Sequence, residues 1–292
     1  MDKQIKTVGV IGHLGMVGKT TFKYLQDFKE KLGIEVHGYD LREPADKEAT
    51  FNCDLIFVCV PTPYHYGGSG FDASIIDSVV KEIKDKIVVI KSTVKVGTCD
   101  RVQKENPTLK VLFNPEFLSE STCDMDFRNP DRQFVGYTKE SYEVATEVLH
   151  ILPESAYDLI CPIKEAELLK YINNMHGVLE VMESNHYYDV CQKEGLDYDR
   201  VCKAMVASKW VGCPMGRHYR VIFHKGKRGV GGKCFPKDLN AWLEYCKEQG
   251  LDARLLQAAR DYNDSLLKAQ GLTEESSEQI GSEEDAKRIL NK

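Results

Sequence analysis

This 292-residue sequence predicts an α/β protein in which a doubly wound, mainly parallel sheet is followed by a mainly helical region. Three observations carry that reading. Short β-branched runs alternate with longer amphipathic stretches through the first half, the pattern of βαβ units. A glycine-rich turn joins the first such run to the first helical stretch. From about Ile163 onward, helix-forming residues dominate and strand signals are lost.

In chain order, Thr7-Val8-Gly9-Val10-Ile11 reads as a strand, followed by the turn and a helix to about Phe28. Glu35 to Tyr39 gives a second strand and Leu55 to Val60 a third. Ile75 to Glu82 is helical and Ile87 to Ile90 is a strand. Val111 to Phe113 and Gln133 to Val135 add strands ahead of a helix from about Lys139 to Leu149. Ile163 to Glu194 is helical throughout. Gly212 to Lys233 is so rich in glycine and basic residues that it must be a loop. Asp238 to Glu248 and Ala253 to Leu267 close the pattern as helices. No internal repeat is present.

The 42% hydrophobic content suffices for a buried core, and the length fits about two domains. The net charge of −6 argues against a nucleic-acid partner. Six acidic and three basic residues lie between Gly271 and Lys292, a Ser/Glu-rich stretch expected to be disordered or loosely helical. No apolar run approaches the roughly 18 residues that span a bilayer. The N-terminus leads straight into a strand with no signal-peptide core, so a cytoplasmic protein without a membrane partner is expected. The ten cysteines are scattered, some (Cys53, Cys59) inside strand-like runs. With no C-x-x-C pair and no Cys/His zinc spacing, they read as reduced thiols, and no metal site is expected.

Two segments carry chemistry. In Gly12-His13-Leu14-Gly15-Met16-Val17-Gly18, glycines let the chain turn tightly and let backbone amides approach a pyrophosphate at a helix N-terminus. The last two glycines fit G-x-G-x-x-G; the first stands one residue early. Asp40 ends the second strand, where a carboxylate accepts hydrogen bonds from a ribose diol and repels a 2′-phosphate, which favours NAD over NADP. An ordinary βα turn with a solvated aspartate is the plainer alternative. The second segment is Gly229-Val230-Gly231-Gly232-Lys233-Cys234-Phe235-Pro236-Lys237-Asp238. Pro236 suits a helix start, which puts Cys234 just before a helix N-terminus with Lys233 and Lys237 nearby, surroundings that favour a thiolate nucleophile. A structural cysteine in a loop is the alternative.

Further motifs follow in order: Val58-Cys59-Val60-Pro61-Thr62-Pro63, Lys91-Ser92-Thr93-Val94, Asn114-Pro115-Glu116-Phe117-Leu118-Ser119-Glu120, and Glu165 to Asn174 within the long helix. Together with the Cys234 loop, and over about Val8 to Asn263, they resemble the UDP-glucose/GDP-mannose dehydrogenase family. The resemblance implies a Rossmann-like NAD-binding domain over residues 1–162. It implies a helical central domain over 163–268 that carries the cysteine loop and forms a homodimer through Lys170 to Glu194. An acidic tail, 269–292, follows. The implied activity is NAD-dependent oxidation of the primary alcohol of a UDP- or GDP-hexose to the uronic acid, by two hydride transfers through a cysteine thioester.

By position, Cys234 would be the nucleophile, and Lys170 with Asn174 would stabilise oxyanions. Asp238 would orient water or the lysine, Glu116 and Glu120 would take acid/base and positioning roles, and Thr93 would lie near the nicotinamide. The cofactor would meet Gly12, Leu14, Gly15, Met16, Val17, Gly18, Asp40, Arg42, Val60, Pro61, Thr62, Ser92 and Thr93. The substrate would meet Phe117, Leu118, Lys170, Asn174, Arg220, Gly229, Gly231 and Gly232. Taken alone, Lys170 also fits a solvated helix lysine, and Glu116 and Glu120 a charged turn. Met175 and His176 read as helix packing and surface.

Typical members carry a third domain that helps bind the nucleotide, whereas here the sequence ends soon after the Ala253 to Leu267 helix. Either the loop from Gly216 to Lys233 holds the nucleotide, with Arg217, Arg220, Lys225, Lys227 and Arg228 for phosphates, or part of the activity has been lost, or the sequence is a truncated product. Two other functions fit parts of the pattern. A β-hydroxyacid dehydrogenase explains Gly15, Gly18, Asp40 and a helix lysine near an asparagine, but not the Cys234 loop. A non-catalytic nucleotide-sugar or NAD-binding relative is the second.

Overall fold

The computed structural model describes residues 5–120, 122–208, 220–224 and 226–278. The described residues form two units, one holding the chain up to His65 together with Phe71–Lys170, the other holding Tyr66–Gly70 and the chain from Tyr171 on.

The first unit opens with β1 (Thr7–Ile11), α1 (Met16–Leu32), β2 (Glu35–Tyr39), α2 (Lys47–Phe51) and β3 (Leu55–Val58). A two-residue ladder follows, β4 (Tyr64–His65) with β5 (Gly70–Phe71), then α3 (Ser74–Lys81), β6 (Ile87–Ile90), α4 (Thr98–Glu105) and β7 (Lys110–Phe113). After α5 (Cys123–Arg128) come β8 (Gln133–Tyr137), α6 (Ala145–Ile151), β9 (Asp158–Pro162) and the first turns of α7 (Ile163–Glu194). Seven of these strands form one sheet in the order β2-β1-β3-β6-β7-β8-β9. Every pairing is parallel except β7 with β8.

The side-chain period of two divides each strand between two cores. Leu55 and Phe57 of β3, Ile87 and Val89 of β6, and Leu112 of β7 join one core with Tyr24 and Leu25 of α1, Phe127 of α5 and Val148 of α6. Ile56, Val58, Val88, Ile90, Val111 and Phe113 join the other, with Ile76 and Val80 of α3 and Val102 of α4. The central strands are therefore buried on both faces and read as continuous apolar runs rather than alternations. Truncating a fully buried side chain such as Phe57 to alanine would cost about 3–5 kcal/mol.

The second unit contains the rest of α7, α8 (Tyr198–Val206), α9 (Phe235–Glu248), α10 (Arg254–Ala269) and α11 (Glu274–Glu278). Its core gathers Met175, Val178 and Met182 of α7, Val230, Leu239 and Leu243 of the cysteine loop and α9, and Ala259 of α10. Met175 is thus a packing residue, and His176 is exposed. α9 starts at Phe235 with Cys234 as its N-cap, as Pro236 suggests, because a proline at the second helical position gives up only an amide that has no intrahelical partner. Within the polar C-terminal stretch, α11 is ordered enough to bury Ser277; residues 279–292 lie outside the described residues.

Candidate active site

The dinucleotide turn is built by close backbone approach. The Gly12 amide donates to the Tyr39 carbonyl at 2.7 Å, and the Gly15 amide donates to the Gly12 carbonyl at 3.0 Å. Gly12 has φ +82°, and a Cβ there would come within 2.5 Å of the Cys59 carbonyl oxygen. A Cβ on Gly18 would run into the Gly12 carbonyl. The early first glycine therefore still does the work of a tight turn, at the strand end itself. Gly15 is the N-cap of α1, and no side chain caps that helix. The first amides of α1, at Met16, Val17 and Gly18, then present a positive dipole end, a cradle that fits a pyrophosphate.

Asp40 sits where the ribose contact is expected, at the end of β2. Arg42 holds its carboxylate through Nε at 2.9 Å, Nη2 at 3.0 Å and its own amide at 3.1 Å. That hydrogen bonding, with the Leu14 amide contributing, outweighs burial and brings the Asp40 pKa down to about 2. The loops after β3 and β6 are tied to each other: Thr62 Oγ1 donates to the Thr93 carbonyl at 2.8 Å and Ser92 Oγ to the Val60 carbonyl at 2.6 Å. Val60, Pro61, Thr62, Ser92 and Thr93 therefore belong to one constellation.

The same unit holds a buried charged pair. Lys170 Nζ donates to Glu116 Oε1 at 2.9 Å and to the Glu116 carbonyl at 2.7 Å, and the Leu118 amide donates to Glu116 Oε2 at 2.8 Å. Burial pushes the Glu116 carboxyl up, but the Lys170 charge and hydrogen bond, the Leu118 amide and Lys91 outweigh it, so Glu116 stays below its ordinary pKa. Phe117 lies under the Lys170 ammonium, 5.9 Å away. Glu120 is exposed in the turn before α5. Lys91 is a further buried cation that sequence reasoning quoted without a role. It donates to Asn114 Oδ1, and burial lowers its pKa to about 8.

In the second unit, Asn174 Nδ2 donates to Asp238 Oδ2 at 2.5 Å, and Lys237 Nζ donates to Asp238 Oδ1 at 2.5 Å. Asp238 is thus held by an amide and a lysine, and its backbone amide donates to the Cys234 carbonyl at 2.9 Å. Cys234 is the N-cap of α9, partly exposed, with no side-chain cap hydrogen bond on that helix. Phe235 packs so tightly on α7 that a Cβ at Gly177 would come 2.5 Å from its ring. Gly229 and Gly232 take φ +92° and +76°, a left-handed backbone that favours glycine.

Two of the basic residues of the loop are engaged by carboxylates of this same unit. Arg220 is buried and donates to Glu180 at 3.2 Å. Arg228 donates to Asp189 at 2.6 Å and stacks on Tyr188 at 4.8 Å. Both guanidiniums turn inward because α7 carries carboxylates within their reach. Arg217 and Lys225 lie outside the described residues. Among the described residues there is no cluster suited to a metal ion, and no helix is long and apolar enough to cross a membrane.

A glycine-built βα turn with an aspartate at the end of the second strand, in a chain whose helical unit carries a helix-capping cysteine, fits a dinucleotide-dependent class of protein. The chain belongs to the UDP-glucose/GDP-mannose dehydrogenase family: residues 24–152 match its NAD binding domain and residues 164–265 its central domain. It is 31% identical to the UDP-glucose 6-dehydrogenase of Rhizobium meliloti, over 77% of this chain and 53% of that protein. It therefore spans about half the length of that relative. A UDP-glucose dehydrogenase of Pyrobaculum islandicum superposes with a TM-score of 0.73 at 26% identity, covering 90% of this chain and 69% of that one. The 3-hydroxyisobutyrate dehydrogenase of Mycobacterium tuberculosis shares the fold at a TM-score of 0.65 and 16% identity, covering 88% of this chain and 92% of that one.

Proposed function

We propose that this protein oxidises the primary alcohol of a nucleotide sugar to the carboxylate, with NAD as hydride acceptor. The observation that carries the reading is Cys234 capping α9 on a glycine loop, one helical turn from an Asp238 already held by Asn174. NAD supplies the acceptor for two hydrides, one in each oxidation.

The residues supply the rest. In the first oxidation the alcohol loses its proton and a hydride to become an aldehyde. The Cys234 sulfur then adds to the aldehyde carbon, forming a C–S bond and an oxyanion that Lys170 and Asn174 stabilise. Loss of the second hydride leaves a thioester. Water attacks that carbon, the C–S bond breaks, and the thiolate and the acid are released, with the water proton taken up by a carboxylate. Glu116 holds the Lys170 side chain in a buried pair, and Asp238 keeps Asn174 in place. The β-hydroxyacid alternative shares the fold but gives Cys234 no task. We also propose that the protein is a cytoplasmic homodimer, because none of the nine described cysteines is joined in a disulfide and α7 exposes Ile172, Tyr187 and Val190.

The test is turnover of UDP-glucose with NAD, followed by NADH absorbance and product analysis. Two NADH per uronate are expected, and Cys234→Ser should fail to complete the cycle. Normal acid production by Cys234→Ser would overturn the thioester route.

A further inference from the structure

Asn263 of α10 is fully buried, and its side chain meets both polar groups of one loop residue: Oδ1 accepts from the Val230 amide at 2.7 Å and Nδ2 donates to the Val230 carbonyl at 3.3 Å. Two helical turns on, Gln270 repeats the arrangement. Its Oε1 accepts from the Arg228 amide at 2.9 Å and its Nε2 donates to the Arg228 carbonyl at 3.1 Å. Residues 228 and 230 are alternate positions, so the two carboxamides pair with the loop as a neighbouring strand would. Asparagine and glutamine are the side chains that offer an amide donor and a carbonyl acceptor together. Gly229, between the two, has φ +92°, and a Cβ there would lie 2.6 Å from Asn263 Oδ1. The loop is pressed onto the amide. Val230 is itself buried in the core of this unit.

We infer that Asn263 and Gln270 form an amide ladder that sets the register of the cysteine loop, which makes Asn263 a positioning residue for the Cys234 thiol. The span from Val230 to Cys234 contains Gly231 and Gly232, which on their own leave wide backbone freedom. It is fixed at its far end by α9, with Phe235 against Gly177. The ladder fixes the near end. Neither amide needs to meet the substrate: each acts through the loop backbone. The inference rests on reading Cys234 as the nucleophile. In that reading the first hydride transfer does not use the thiol and the second does, so a displaced loop harms the second oxidation selectively.

The experiment compares Asn263→Ala, Asn263→Asp and Gln270→Ala with the unaltered protein. It uses UDP-glucose and NAD for turnover, semicarbazide to trap aldehyde, and iodoacetamide labelling of Cys234 mapped by peptide mass spectrometry. Misplacement of a reacting group by about 1 Å can cost roughly a hundredfold in rate. In Asn263→Ala, complete oxidation should fall by between about tenfold and a hundredfold with KM for NAD nearly unchanged. Trapped aldehyde should rise, and the Cys234 labelling rate should shift. Asn263→Asp keeps the acceptor for the Val230 amide and should recover part of the loss. Gln270→Ala, at an exposed position, should fold normally and shift labelling in the same direction by less. Labelling and turnover both unchanged in folded Asn263→Ala and Gln270→Ala would overturn the inference, as would equal loss of both oxidations. If Cys234→Ser turns over normally, the proposed function fails, and the labelling rates alone then decide whether the ladder positions the loop.

Discussion

Lys170 is buried against Glu116, which gives it two acceptors, one from the carboxylate and one from the backbone. Removing one partner of such a pair leaves an uncompensated charge, which costs about 3–5 kcal/mol. Glu116→Gln should therefore lower unfolding free energy by a few kcal/mol in urea titration as well as abolish turnover. A variant of unchanged stability would show that solvent reaches the pair. Asp40 makes a different case, because its partner Arg42 lies at the surface. Its pKa of about 2 is below the unfolded value, so the pair's stabilisation holds above about pH 4 and is lost as pH falls toward 2. Near neutrality Asp40 is a full negative charge, and Asp40→Ala should narrow the preference for NAD over NADP, read from the two dissociation constants. Equal affinities in the unaltered protein would defeat the assignment.

Among elements, α7 explains most of what the sequence conveyed and what it hid. Its length was legible because Ile163 to Glu194 holds no breaker but Gly177. Its orientation was legible only at Lys170 and Asn174, because Glu167, Glu180 and Ser184, which are buried too, are polar helix residues that the motifs gave no task. β9 was missed because Asp158 to Pro162 keeps only Leu159, Ile160 and Cys161 as an apolar run between an aspartate and a proline, and the β4–β5 ladder because two residues leave no periodicity. The glycine turn and cysteine loop were legible because both need glycine where no other residue fits. The amides of α10 looked like ordinary helix polarity, and only the fold shows what they hold. Glu167 was quoted within a motif but given no task. Its carboxylate accepts from the Gly97 amide at 2.6 Å and the Cys99 amide at 2.8 Å, clamping the start of α4 just after the Thr93 segment. Burial raises its pKa to about 7 despite those amides. A raised carboxyl pKa means the folded state holds a proton that the unfolded state has released, so stability falls as pH rises from about 4.5 to 7, by roughly 3 kcal/mol. Glu167→Gln should flatten the melting-temperature profile over that window relative to the unaltered protein. An unchanged slope would mean that Glu167 titrates normally.

At the scale of the whole molecule, the question is what covers the apolar surface of α7. Ile172 and Val190 are 52% and 45% exposed, and their spacing of five whole turns puts them in line along about 27 Å of helix, with Tyr187 beside that line. A monomer gains nothing from an aligned apolar row in water, whereas a two-fold pairing of two such helices buries the row against itself. The chain should therefore sediment and scatter light as a dimer at micromolar concentration. Val190→Asp would bury a carboxylate in the paired row, and a loss of about 3 kcal/mol there weakens the dimer roughly a hundredfold. Because Val190 is exposed within its own chain, the substitution should leave the melting of the isolated fold nearly unchanged. Dissociation without unfolding is the expected result. A protein that is monomeric before any substitution, or a dimer indifferent to both Val190→Asp and Ile172→Asp, would place the interface elsewhere or remove it.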